Sequence, residues 1–195
     1  MDKTVIDALA RWPNVPDVYG WLGLDKRGRW RIKGEVVSNA QLCAFIGRNY
    51  TCTASGAWFF QNGPQRVYVA LDYTPWVLRL TGSGALETHT GTAVDSPEQA
   101  WMDEDGNLLL LSEHGIGLVA DRDLPALLDC IVDASNARVS EESLLQLMAG
   151  AALPLQLRLA GKLLPELLPL SPIQKAQVPG KFGFITDPSP RNSPA

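Results

Sequence analysis

Residues 56–71 read Gly-Ala-Trp-Phe-Phe-Gln-Asn-Gly-Pro-Gln-Arg-Val-Tyr-Val-Ala-Leu, and this stretch constrains the chain more than any other. Two runs of aromatic and β-branched residues flank Asn62-Gly63. That pair tolerates the positive φ of a tight turn, so the segment predicts a β-hairpin. In the second arm Val67, Val69 and Leu71 face one way and Arg66, Tyr68 and Ala70 the other. In the first arm Trp58 and Phe60 share a face and Phe59 takes the opposite one. A hairpin this apolar needs a larger sheet and a covering helix.

The preceding residues supply both. A short helix is expected over 2–12, capped by Asp2, with Val5, Leu9 and Trp12 on one face and Pro13 and Pro16 ending it. Residues 18–24 and 29–33 predict two strands around a turn at Asp25–Gly28. Strict alternation in the second puts Trp30 and Ile32 toward a core and Arg29, Arg31 and Lys33 toward solvent. Ser38 and Gln41 have the spacing of a capping box. Leu42, Phe45, Ile46 and Tyr50 then recur at helical spacing, giving a face to lay on the sheet. After a bend at Pro75, Trp76–Leu80 reads as a strand.

Thr81-Gly82-Ser83-Gly84 reads as a linker, because it is short, small and falls where the charge balance changes sign. Residues 1–80 carry 10 Lys/Arg and 6 Asp/Glu, a balance of +4, whereas residues 81–195 carry 7 and 15, a balance of −8. Beyond it, strands are expected at 85–90, 99–102, 107–112 and 115–120, the second and third joined through Asp105-Gly106. The run Leu108–Leu111 does not alternate, so that strand is expected to be covered on both sides. Leu124, Leu127, Leu128, Ile131 and Val132 predict a helix from about Asp123, and Ser140 with Glu141 and Glu142 opens another that Gly150 ends. Leu153–Leu159 alternates as a strand. Residues 162–170, broken by Pro165 and Pro169, read as irregular or edge structure. Phe182–Ile185 is a segment able to dock locally, and the tail after Asp187 is expected to be disordered. The expectation is an α+β, antiparallel β-rich protein with two small subdomains, 1–80 and 85–170, each with strands covered by one or two helices, and a Pro-rich, partly disordered tail, 171–195.

Chemistry is harder to find. The chain lacks a run of about 18 apolar residues and a signal-peptide layout at Met1–Val5. Cys43, Cys52 and Cys130 make neither a disulfide framework nor a metal pattern. These features point to a cytoplasmic protein without a membrane span. No glycine-rich phosphate loop and no G-x-S-x-G can be written on the chain, and neither cofactor nor metal is expected. His89 and His114 are the only histidines. Either His89 or His114, with a neighbouring carboxylate in a cleft between the subdomains, would make an enzyme of unassigned class. The acidic run Asp103–Asn107 lacks the ligand spacing of a calcium loop and reads as a hairpin turn. Lys26–Lys33 carries five Lys/Arg in eight residues. Arg29, Arg31 and Lys33 therefore offer an anion or nucleic-acid site, but Trp30 lies on the opposite face and the pI near 5.2 makes nucleic acid the lesser partner. If Trp58 and Phe60 face a core, Phe59, Gln61, Arg66 and Tyr68 are left on the other face. With Arg48 and Gln65 nearby in sequence, they form a candidate ligand or partner surface.

Arg29–Ile32, the helix Leu42–Tyr50 and the hairpin Gly56–Val67 resemble an uncharacterised proteobacterial family of roughly 200-residue proteins. The layout is similar to a second bacterial group of unknown function. The resemblance spans about residues 20–135, implies a soluble α+β protein, and brings no catalytic residues with it. The function expected is non-enzymatic: a binding or adaptor protein with a protein or small-molecule partner. A homodimer joined through the oppositely charged halves is a further expectation.

Overall fold

Mixed sheets organise the chain, where the sequence pattern led to an expectation of antiparallel ones. The computed structural model describes residues 1–12, 15–159 and 167–190. It has two compact units, Met1–Pro75 together with the residues from Gly183 onward, and Trp76–Phe182.

In the first unit, helix α1 (Lys3–Arg11) buries Val5 but leaves Ile6 and Trp12 each 52% exposed, so Trp12 does not join the buried face expected of it. Asp2 does not cap this helix through its side chain. Its carboxylate instead accepts from Arg48 and Asn49, and its backbone N donates to Asn49 Oδ1 at 2.7 Å. Strands β1 (Val18–Leu24), β2 (Trp30–Ile32) and β3 (Glu35–Val36) lead into helix α2 (Ala40–Arg48), and β4 (Tyr50–Cys52), β5 (Trp58–Asn62) and β6 (Gln65–Leu71) follow. The cap of α2 is Asn39, whose side chain accepts from Leu42 N, and not the Ser38–Gln41 box expected. The sheet order is β3-β2-β1-β6-β5-β4, with β1 parallel to β6 and the other pairs antiparallel. The parallel pair arises because the chain crosses from one edge to the other through α2, and a parallel neighbour requires such a crossover.

The hairpin forms as expected, with Phe60↔Val67 and Phe59↔Tyr68 in register. Its turn is centred one residue later, on Gly63-Pro64 between the paired Asn62 and Gln65, with Gly63 at φ +58°. Phe60 meets Phe45 of α2 edge-on at 5.3 Å, and Tyr50 packs on Trp30 and Trp58. On the opposite face Tyr19 stacks on Tyr68 at 4.5 Å, beside Phe59, Ala57 and Ile185. Residues 183–186 strap this unit. Ile185 N donates to Gly56 O, Leu71 N donates to Thr186 O, and Phe184 is buried.

The second unit contains β7 (Trp76–Leu80), β8 (Leu86–Thr88), β9 (Ala93–Val94), β10 (Gln99–Met102), β11 (Leu108–Ser112) and β12 (Gly115–Val119). Then come α3 (Leu124–Leu128), β13 (Ile131–Val132), α4 (Glu141–Met148), β14 (Leu155–Arg158), β15 (Leu167–Pro172), a 3-10 turn (Lys175–Gln177) and α5 (Val178–Phe182). The order is β13-β14-β15-β10-β11-β12-β7-β8-β9, with β10/β15 and β12/β7 parallel. Leu108, Leu109 and Leu110 are fully buried at its middle. The helix expected through Val132 stops at Leu128. Ile131 and Val132 instead pair with Leu157 and Gln156 of β14, the setting that suits β-branched side chains. Ser140 caps α4 by accepting from Ser143 N, as expected. Leu167–Pro172 is an inner strand and not edge structure. The ladder to β10 covers only Leu170–Pro172, so Pro169 faces a partner on β14 alone. The expectations for residues 13, 162–166 and 191–195 lie outside the described residues. No helix among the described residues is long and apolar enough to cross a membrane.

One five-residue turn recurs at Asp25–Arg29, Thr53–Ala57, Thr81–Ala85, Thr88–Thr92, Asp103–Asn107 and Asp133–Ala137. In each, the first N donates to the fifth carbonyl and the fourth N donates back to the first carbonyl. The fourth residue has positive φ and is glycine, except Asn136. Asp or Thr at the first position receives the fifth residue's N on its side-chain oxygen in every case but Thr81. Thr81–Gly84 is thus the turn between β7 and β8 and not a linker.

Candidate functional site

A groove of about 490 Å³ opens between α2 and the sheet of the first unit. Strands supply Val18, Trp21, Leu22, Ile32, Phe60 and Val67, and the helix supplies Leu42, Phe45 and Ile46. Helical spacing places those three residues on one face of α2, and strand alternation places Leu22, Ile32, Phe60 and Val67 opposite them. The β1–β6 ladder shifts register between Val18 and Leu22, with Gly20 at φ +72°. A bulge re-aims side chains, and Trp21, which falls within it, is 53% exposed. Ile32 was expected in a core. It is 38% exposed, because α2 does not extend over it and leaves the groove there instead.

Asn62 and Gln65, the pair that closes the hairpin turn, are the polar residues of the lining, and among the described residues no ionisable side chain lines it. Gln65 Nε2 donates to Pro16 O at 3.0 Å, and Gln61 Nε2 donates to Gly63 O at 2.9 Å. Among the described residues, charge stands beside the groove. Lys33 Nζ sits 4.0 Å from the centre of the Trp21 ring, and Glu35 lies opposite Ile32 in the β2–β3 pair.

The surface predicted around Phe59 is divided by the fold. Phe59, Gln61 and Tyr68 are 6%, 2% and 2% exposed, so the face offered as a candidate surface is covered, with Tyr19 and Ile185 of the strap packed on Phe59 and Tyr68. Arg66 remains outside, its guanidinium 5.2 Å over the Phe59 ring. Gln65 lies on the groove side. Arg48 ends α2 and pairs with Asp2, and that guanidinium holds the Asp2 carboxyl below its usual range.

The alternative sites are also tied up. Arg29 pairs with Asp25 at 2.7 Å and Arg31 with Asp72, so two of the three residues of the predicted basic row carry their own counter-charges. His114 Nε2 lies 2.8 Å from Ala93 O and 3.5 Å from Glu113 Oε1, in the β11–β12 turn. Burial pushes the Glu113 carboxyl up. Hydrogen bonds from the backbone of Asp95, Glu113 itself and Ser96, together with His114, outweigh burial and lower its pKa. That carboxylate ties down the loop after β9. His89 Nδ1 accepts from Val77 N at 3.3 Å, and its ring packs on Trp76. Among the described residues no group of three or more His, Cys, Asp or Glu is placed to hold a metal ion.

Sequence reasoning missed Val18, Trp21, Leu42 and Val67 as a set.

No curated protein matches the chain. A DUF1285 family protein from Silicibacter pomeroyi is similar in structure over 80% of this chain and 84% of its own, with a TM-score of 0.50 at 13% identity, a likeness of fold alone. Another DUF1285 family protein, from Shewanella baltica, is similar over 52% of this chain and 85% of its own, with a TM-score of 0.40 at 16% identity. A family model matches residues 1–189, nearly the whole sequence, and the chain therefore belongs to the family described as "Protein of unknown function (DUF2946)".

Proposed function

We propose that this chain is a binding protein whose site is the groove beneath α2. The observation that carries the reading is an open apolar cavity of about 490 Å³, lined by nine apolar side chains and two amides. That volume lies within the range of small-molecule sites, roughly 300–1,000 Å³. Half-exposed Trp21 and Ile32 at the same place give up apolar surface that an occupant covers.

The neutral fluorophore N-phenyl-1-naphthylamine tests this. Its emission is expected to rise saturably on addition of the protein. Ile32→Glu puts a charge into the lining at a half-exposed position, and Val67→Phe fills the space. Each is expected to weaken probe binding at least tenfold, with a thermal midpoint within a few degrees of the wild type. Undiminished binding by both variants rules this groove out as the site.

A further inference from the structure

Resting on the groove as the binding site, we propose that its natural ligand is an electrically neutral, mainly aliphatic or aromatic molecule carrying one hydroxyl or primary amide, bound with that polar group at the hairpin turn. Among the described residues the lining has no ionisable side chain. A carboxylate or ammonium carried into it would lose hydration with no opposite charge to replace the loss. Beside the groove Lys33 lies over Trp21 and Glu35 opposite Ile32, one charge of each sign, a pair that favours neither an anionic nor a cationic head group.

Among the described residues, polarity inside the groove is confined to Asn62 and Gln65. A carbonyl only accepts, so the contact with Pro16 O identifies the Gln65 nitrogen and leaves its Oε1 as an acceptor. No hydrogen bond among the described residues uses that oxygen or the Asn62 amide. Gln61, 2% exposed, braces the same turn through Gly63 O. The polar end is therefore held in place before a ligand arrives, which limits the ordering cost of binding. A ligand hydroxyl or amide N–H donates to Gln65 Oε1, and its carbon skeleton lies along Phe60, Val67, Leu42 and Phe45.

Displacement of N-phenyl-1-naphthylamine by decan-1-ol, decanamide, decanoate and decylamine at neutral pH separates the possibilities. The alcohol and the amide are expected to displace the probe at concentrations at least tenfold lower than the two ions require. Gln65→Leu is expected to weaken decan-1-ol about fivefold to tenfold more than it weakens the probe. Because that change also removes the bond to Pro16, Asn62→Ala, at an exposed position, serves as the second variant and is expected to act in the same direction. Decanoate or decylamine binding as tightly as decan-1-ol overturns the neutrality of the ligand, and an unchanged alcohol affinity in both variants overturns the placement of its polar group. If the fluorophore binds and no ten-carbon compound displaces it, this inference fails and the groove stands. If the fluorophore itself does not bind, both fail.

Discussion

A methyl group added at Gly56 would stand 2.1 Å from the Gly183 carbonyl oxygen, on a backbone with φ +84°. At Gly84, with φ +80°, the same methyl meets nothing within 4 Å. Gly56→Ala is therefore expected to cost about 3 kcal/mol and Gly84→Ala about 1 kcal/mol, read from urea denaturation midpoints. Asp25 argues the pH dependence at the same scale. Burial raises the pKa of its carboxyl, but hydrogen bonds from Arg29 and Arg27 and the Arg29 charge outweigh burial and leave it lowered. A carboxyl whose folded pKa is depressed stabilises the fold fully above its unfolded value, about 3.9, and loses that contribution as pH falls through the folded value. Denaturation midpoints measured from pH 6 down to pH 2 are expected to drop less steeply for Asp25→Asn than for the wild type. Single residues were partly legible in the sequence. Alternation placed Trp30 inside, but it also sent Ile32 and helical spacing sent Trp12 inward, because a pattern states which face a residue occupies and not whether anything covers that face.

Among the elements, turns and the cap of α4 were the most legible, since their chemistry is local. The hairpin at residues 58–71, the Asp105-Gly106 connection and Ser140 all follow from neighbours in sequence. The recurrent Asp/Thr-x-x-Gly turn was equally local, and its copies at Asp25 and Asp103 read as turns, whereas the copy at Thr81 resembled a linker. Its side chains are expected to matter in proportion to what they hold. Asp103, fully buried, accepts from Asp105 N, Asn107 N and the Asn107 amide, so Asp103→Ala is expected to cost about 2–3 kcal/mol. The described side-chain bond of Thr81 goes to the Ser83 hydroxyl, and Thr81→Val is expected to cost under about 0.5 kcal/mol in the same denaturation assay. The short α3 and the strand Ile131–Val132 mark the limit of local reading. One apolar spacing serves a helix continued to Val132 and a helix that stops for a strand, and the tertiary partner Leu157 decides between them.

At the scale of the whole molecule, the parallel pairs β1/β6, β7/β12 and β10/β15 were not legible, because each joins segments separated by long connections that leave no periodic trace. The groove was hidden for the same reason. It is the space left between α2 and strands on either side of it in sequence. The strap 183–186 is the other long-range feature, and removing the residues from Gly183 on is expected to uncover Tyr68 and Phe59. Faster hydrogen exchange at the Leu71 amide, which now donates to Thr186 O, together with a loss of near-ultraviolet tyrosine dichroism, would register that change. On the ribosome this arrangement inverts the usual order of completion. The residues that open the first unit emerge early, yet their last partner follows the whole of Trp76–Phe182. At bacterial or eukaryotic translation speeds that interval lasts roughly 5–20 s. For that time a nascent sheet with an aromatic face stands unfinished while a later stretch of the polypeptide acquires its own core, and of the two units the earlier made is the later sealed.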